Sequence, residues 1–177
     1  MAVATLDLLK ADVPVLSELE ADLGGGDRLC MLPVVRSTQT YQAFRISPTD
    51  TNRIVLLFDP TVTNYSMTVC VEIFDPGGGT PYHRHRQADE MFFVLRGEGA
   101  ALCDGKEVAL TTGDCILVRP TGMHEIHNTS ANRLYLLSVM VPNEDFAELV
   151  RSGVPAELDA EDLAVLRHQP LPIATLP

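Results

Sequence analysis

Residues 77–97 read GGGTPYHRHRQADEMFFVLRG. Glycine marks both ends, His83 and His85 stand one residue apart, and Glu90 follows five residues later. On an extended chain, side chains two apart share a face. His83 and His85 therefore form a two-pronged imidazole clamp, with Arg84 and Arg86 thrown to the opposite side. Gln87, Ala88 and Asp89 make a short connection that lets the next strand return Glu90 to the same wall. Two neutral imidazoles and a carboxylate placed there can chelate a divalent transition metal. A charged hairpin whose histidines simply face water is the bland alternative.

A remote fourth partner decides between them. Gly113-Asp114 opens GDCILVRPTGMHEIHN, which reads as a strand, a Pro120/Gly122 turn, then His124 with Asn128 four residues on. An HxH pair, a glutamate and a distant histidine behind a turn form a four-ligand set, a pattern too specific for a hydrated hairpin. His127 comes three residues after His124, so on a straight strand it points away from that site. Asn128 reads as structural, satisfying backbone in the turn that follows.

These residues resemble the cupin family. Its first motif runs G, five residues, HxH, three or four residues, E, six residues, G. Gly77, His83, His85, Glu90 and Gly97 fit it without a gap. Its second motif runs G, five residues, PxG, two residues, H, three residues, N. Gly113, His124 and Asn128 fit in overall spacing, but Pro120 and Gly122 stand one place late, which predicts a differently built turn. The resemblance implies an antiparallel β-barrel or jelly roll open at one end, with His83, His85, Glu90 and His124 holding one divalent ion. Mixed imidazole and carboxylate ligation suits iron, manganese, nickel and zinc alike; the resemblance favours iron or manganese. In oxalate-degrading relatives the third residue before the first histidine tends to be Arg or Asn. Here it is Thr80, which argues against that substrate.

The surrounding chain agrees with a mainly all-β fold. Short runs rich in β-branched and aromatic residues recur between polar turns: MLPVV, YQAFRIS, NRIVLLF, SMTVCVEIF, EMFFVLRG, DCILVRP, HEIHNTS and RLYLLSVMV. AALCDGKEVAL reads as a hairpin, with Asp104-Gly105 suited to a two-residue type I′ turn. Helical patterns occur only towards the ends. Residues 12–23 place Val15, Leu16, Leu19 and Leu23 on one face behind Asp12 and Pro14, and Gly24-Gly25-Gly26 ends them. NEDFAELVRSG predicts a helix capped by Asn143 with acids in its first turn, and Asp159 with Asp162 opens another. The division expected is an N-terminal extension with a short helix over 1–27, the barrel over 28–142 and a C-terminal helical extension over 143–177.

Composition excludes several function classes. The net charge is −11, which opposes a phosphate-tracking nucleic-acid surface. Residues 28–142 carry 11 acidic and 10 basic side chains, so the acidity belongs to the terminal stretches, read as solvated helical ends. No apolar run reaches membrane-span length, and the amino terminus lacks a basic region ahead of an apolar core. Cys30, Cys70, Cys103 and Cys115 show no CxxC spacing and sit in apolar segments, as buried free thiols of a reduced, cytoplasmic protein.

The function expected is a metal-dependent small-molecule enzyme, an O2-dependent (di)oxygenase first. A metal-dependent isomerase or lyase and a non-catalytic binding or sensor protein are the alternatives. Phe92 and Val94 share the parity of Glu90 and are the candidate substrate-pocket residues. Catalytic candidates are thin: Glu72 faces either solvent or cavity, and Arg96 shares Glu90's parity at the strand end. A homodimer is expected, because exposed sheet edges need covering.

Overall fold

The computed structural model describes residues 33–64 and 66–169. The helix expected over 12–23 and Cys30 lie outside the described residues. Of the expected strand MLPVV, the described part, residues 33–35, is irregular and exposed, and Pro33 has no N–H to give a ladder.

Ten strands form among the described residues: β1 Gln42–Arg45, β2 Asn52–Phe58, β3 Thr68–Phe74, β4 Asp89–Arg96, β5 Glu98–Cys103, β6 Lys106–Thr111, β7 Cys115–Val118, β8 His124–Asn128, β9 Leu134–Val141 and β10 Val154–Ala156. Three short helices join them: α1 Pro60–Thr63, α2 Phe146–Arg151 and α3 Ala160–Leu166. The strands build a seven-stranded sheet, β10-β1-β2-β3-β9-β4-β7, and a three-stranded sheet, β6-β5-β8, with every named pairing antiparallel. The mainly-β fold read from the sequence is the one that forms.

Alternation along each strand explains the core. Phe74, Phe92, Val94, Leu134 and Leu136 of the large sheet meet Ala101, Leu110 and Ile126 of the small one in a single cluster. Ala147 and Val150 of α2 pack on Ile54, Leu56 and Cys70. The opposite face of the large sheet is also covered over β1–β3, where Val55, Val71, Ile73 and Tyr135 meet Leu158, Val165 and Leu166. Both faces of β3 are therefore buried. Cys103 pairs with Lys106 across the expected hairpin turn, and Asp104 and Gly105 take φ of 46° and 76°, the positive pair that a type I′ turn requires.

One of the two C-terminal helices differs from expectation in its start. Asp159 does cap α3 in a full capping box with Asp162. The preceding helix begins only at Phe146, so Glu144 lies ahead of it; Asn143 still accepts the Ala147 N–H through its side chain at 3.0 Å. The thiols differ as well: Cys70 is buried, Cys103 half-buried and Cys115 exposed, because Cys115 faces outward on edge strand β7.

Candidate metal centre

The segment from Gly78 to His85 has no regular strand of its own, yet it runs along β8 as an irregular partner. Thr80 N donates to Ile126 O at 2.9 Å, and His83 and His124 exchange both backbone hydrogen bonds at 2.9 and 2.7 Å. Gly79 is required here, since a Cβ would meet Ile126 O at 2.8 Å and collide with the His127 ring. The pairing sets His83 directly beside His124. Glu90, near the start of β4, points into the same space from the large sheet.

Four donor atoms, one each from His83, His85, Glu90 and His124, lie within 4.8 Å of one another. Glu90 Oε2 stands 2.9 Å from His85 Nε2 and 3.1 Å from His124 Nε2. Glu90 Oε1 accepts the Ser138 hydroxyl at 3.1 Å. His83 Nδ1 lies 2.7 Å from Pro81 O, and His124 Nδ1 lies 3.0 Å from Gly122 O. A carbonyl only accepts, so both Nδ1 atoms carry hydrogen and each Nε2 is left to face the site. The donor set, its closeness and its backbone-fixed rings fit a divalent transition ion.

The electrostatics suit the same ion. Burial would raise Glu90, but hydrogen bonds from His124 and His85 win and hold it at about 2. Burial pushes His83 below the usual imidazole value, with the His124 and His85 rings adding to the effect. His124 is also depressed by burial, yet its hydrogen bonds to Glu90 and Gly122 O, together with the charges of Glu90 and Asp104, outweigh this and raise it. A cation on this site would take the place of the proton that His124 shares with Glu90.

The remaining candidates fall in different places. Phe92 faces the barrel interior, its ring centroid 6.3 Å from that of His124, and Val94 packs deeper in the same cluster. Glu72 is on the inner face of β3 and buried; burial and the charge of Glu90 raise its carboxyl to about 8. Arg96 does not share Glu90's face. A bulge between Val94 and Arg96 shifts the register and breaks the alternation, pairing Arg96 with Tyr135 of the outer layer. It lies about 20 Å along β4 from Glu90 by strand rise, lining a cavity of about 420 Å³ with Glu98, Thr111 and Ser130. His127 stays outside the donor group and pairs with Glu125 at 3.0 Å. Asn128 donates to Phe74 O and Asn132 O at 3.1 and 2.7 Å.

The displaced second motif has a structural consequence. Pro120 puts Thr121, not glycine, at the left-handed position of the turn, with φ of 70°, and Gly122 N closes it on Arg119 O at 3.1 Å. Thr121 N then donates to His85 O at 2.7 Å, docking this turn on the histidine pair. Sequence reasoning did not reach Ser138, although a lone hydroxyl inside the apolar run of β9 is a usable signal.

The profile of the cupin domain matches residues 70–140, which include all four donors. An oxalate-binding protein of Thermotoga maritima is 32% identical over 66 residues, 37% of this chain and 54% of that protein. The chain thus spans about half the length of the curated relatives it matches. Among solved structures, a "predicted oxalate decarboxylase" of T. maritima superposes with a TM-score of 0.55 at 24% identity, covering 62% of this chain and 99% of that one. KdgF from Halomonas sp. gives 0.57 at 15% identity, covering 66% and 99%. At such identities the likeness is one of fold. Residues 70–140 thus match the cupin domain, and the two facing antiparallel sheets form a cupin fold.

Proposed function

We propose that this cupin-fold protein is a metal-dependent enzyme acting on a small molecule, an O2-dependent oxygenase that holds iron or manganese on His83, His85, Glu90 and His124. The observation that carries the reading is the convergence of four donor atoms within 4.8 Å of one another from three separate segments, with two imidazoles already oriented by backbone carbonyls. A bound iron or manganese ion would supply redox chemistry towards dioxygen and open positions for an oxygen-chelating substrate. The chain's own residues have distinct tasks. Ser138 steadies Glu90 through Oε1. Phe92 gives the interior an apolar wall beside His124, with Val94 behind it. Glu72 holds a proton at a buried carboxyl near neutral pH. We place the protein in the cytoplasm as a homodimer; the described cysteines are free, and no helix among the described residues is long and apolar enough to cross a membrane.

One observation favours a second reading. The curated relative at 32% identity is described as oxalate-binding, which fits a protein that retains a small carboxylate without turning it over. Thr80, whose hydroxyl accepts the Ile126 N–H at 3.0 Å, is a neutral group engaged with the backbone and offers no cation to such a ligand.

Metal analysis of untagged protein from metal-balanced growth tests the assignment. Near-stoichiometric iron or manganese is expected in the wild type and in His127→Ala, and its loss in His83→Ala and His124→Ala. Oxygen uptake with a panel of oxygen-chelating small molecules should follow. Zinc or nickel with turnover that needs no oxygen would move the protein to the isomerase or lyase class. A carboxylate retained without turnover would support the binding reading, and equal metal loss in all three variants would remove the ligand assignment.

A further inference from the structure

Between His85 and Glu90 the chain has only Arg86, Gln87, Ala88 and Asp89 in which to turn from the clamp into β4. Three successive backbone N–H groups of this connection converge on one side chain. Glu144 Oε1 accepts from Arg86 N at 2.8 Å, and Oε2 accepts from Gln87 N at 3.2 Å and Ala88 N at 3.1 Å. Successive amides gathered in this way form a concave anion site, and here the chain supplies its own anion.

Glu144 is held from behind. Asn143 Oδ1 accepts both the Ala147 N–H, at 3.0 Å, and the Thr68 hydroxyl, while its amide donates to Glu148 at 2.6 Å. The anchor thus spans β3 and α2. Glu144 and Asp145 take left-handed φ of 49° and 62°, a conformation unfavourable for residues with a side chain. The segment keeps this strained shape while presenting a carboxylate to the loop. Thr121 N grips His85 O from another side at 2.7 Å.

We propose that Glu144 is a positioning residue of the metal centre: by gathering the Arg86, Gln87 and Ala88 amides it fixes how His85 and Glu90 face each other. The inference rests on reading His83, His85, Glu90 and His124 as metal donors. Glu144 touches none of the donor atoms; it acts through the backbone that carries two of them.

Glu144→Gln tests it, because one acceptor oxygen becomes an NH2 group facing N–H donors. Asp145→Asn is the control, an adjacent exposed carboxylate without a cap hydrogen bond. Amide hydrogen exchange on metal-free protein reads the clamp, and cobalt(II) titration with the visible spectrum reads the centre. In Glu144→Gln, exchange at residues 86–88 should accelerate with the sheets unchanged. Cobalt affinity should fall about 10-fold with an altered spectrum, the usual cost of losing an outer-shell partner. Asp145→Asn should change neither, and Glu144→Asp, which keeps the charge, should fall between and serves if the Gln variant folds poorly. Unchanged exchange would overturn the clamp. Faster exchange with wild-type cobalt affinity and spectrum would overturn the positioning role. Wild-type protein that binds no cobalt would defeat the metal-centre reading, and the positioning role with it, while exchange still reported on the clamp separately.

Discussion

Glu72 shows what one side chain can do to a whole pH profile. Burial first, and the nearby charge of Glu90 second, raise its carboxyl to about 8, against a weaker pull from Asn52 and Ser138. The folded protein therefore keeps this proton up to about 8, whereas the unfolded chain releases it at an ordinary carboxylate pH near 4.5. Between those values the folded state binds more protons, so stability falls as pH rises and the loss is complete above the folded value. Glu90 has the opposite sign: its contribution is present above the ordinary value and disappears as pH falls towards about 2. A tenfold change in proton affinity is worth about 1.4 kcal/mol, enough to move a melting temperature by several degrees. Thermal unfolding of metal-free protein from pH 5 to pH 9 should show a decline that Glu72→Gln flattens. Parallel curves for the two would show that Glu72 does not carry this proton.

At the scale of an element, α3 illustrates a partly legible feature. The Asp159 and Asp162 spacing announces a helix start, and the capping box is there. Asp162 does more than cap, however. It is fully buried beneath the helix, where it accepts from Tyr135 Oη at 3.0 Å and Arg133 Nη1 at 3.2 Å and pairs with Arg53. The acidic C-terminal stretch is thus not simply solvated, because two arginines on the strands of the large sheet and its edge loop require a buried counter-charge. Removing one member of a buried ion network leaves the others uncompensated, so Asp162→Ala should cost about 3–5 kcal/mol. Losing the exposed cap in Asp159→Ala should cost about 1 kcal/mol. Urea unfolding compares them, and equal losses would reduce Asp162 to a cap.

Over the whole molecule, the outer face of the large sheet is unevenly covered. Leu158, Val165 and Leu166 shield the β1–β3 side, while Phe93, Leu117 and Val141 stand exposed on the β9-β4-β7 side at 37%, 53% and 43%. Cross-strand pairing brings these into one apolar outer layer with Met91 and Val139, bordered at Val141 by the surface Asp89–Arg119 ion pair. A second copy pairing through this layer is the proposed homodimer. Sedimentation at micromolar concentration should find a dimer for the wild type and a monomer for Leu117→Asp. A monomeric wild type would withdraw the assembly.

Spacing alone determined the parts of this protein that depend on local geometry. Strand parity separated His83, His85 and His124 from His127, and it placed Phe92 on the side of Glu90. Asp104-Gly105 specified its own turn, since only certain residues accept positive φ cheaply. These inferences need nothing beyond neighbours a few residues apart. Tertiary structure decided what depends on distant partners. Both faces of β3 are buried, so alternation could not tell which one carried Glu72 inward. The bulge after Val94 turned Arg96 away from Glu90's face, a break in parity that arises only when β4 lies against β9. Ser138, Glu144 and the Pro81 and Gly122 carbonyls became visible as supports of the donor set only once strands and loops far apart in sequence were brought together, because a hydrogen bond between such groups leaves no period in the chain.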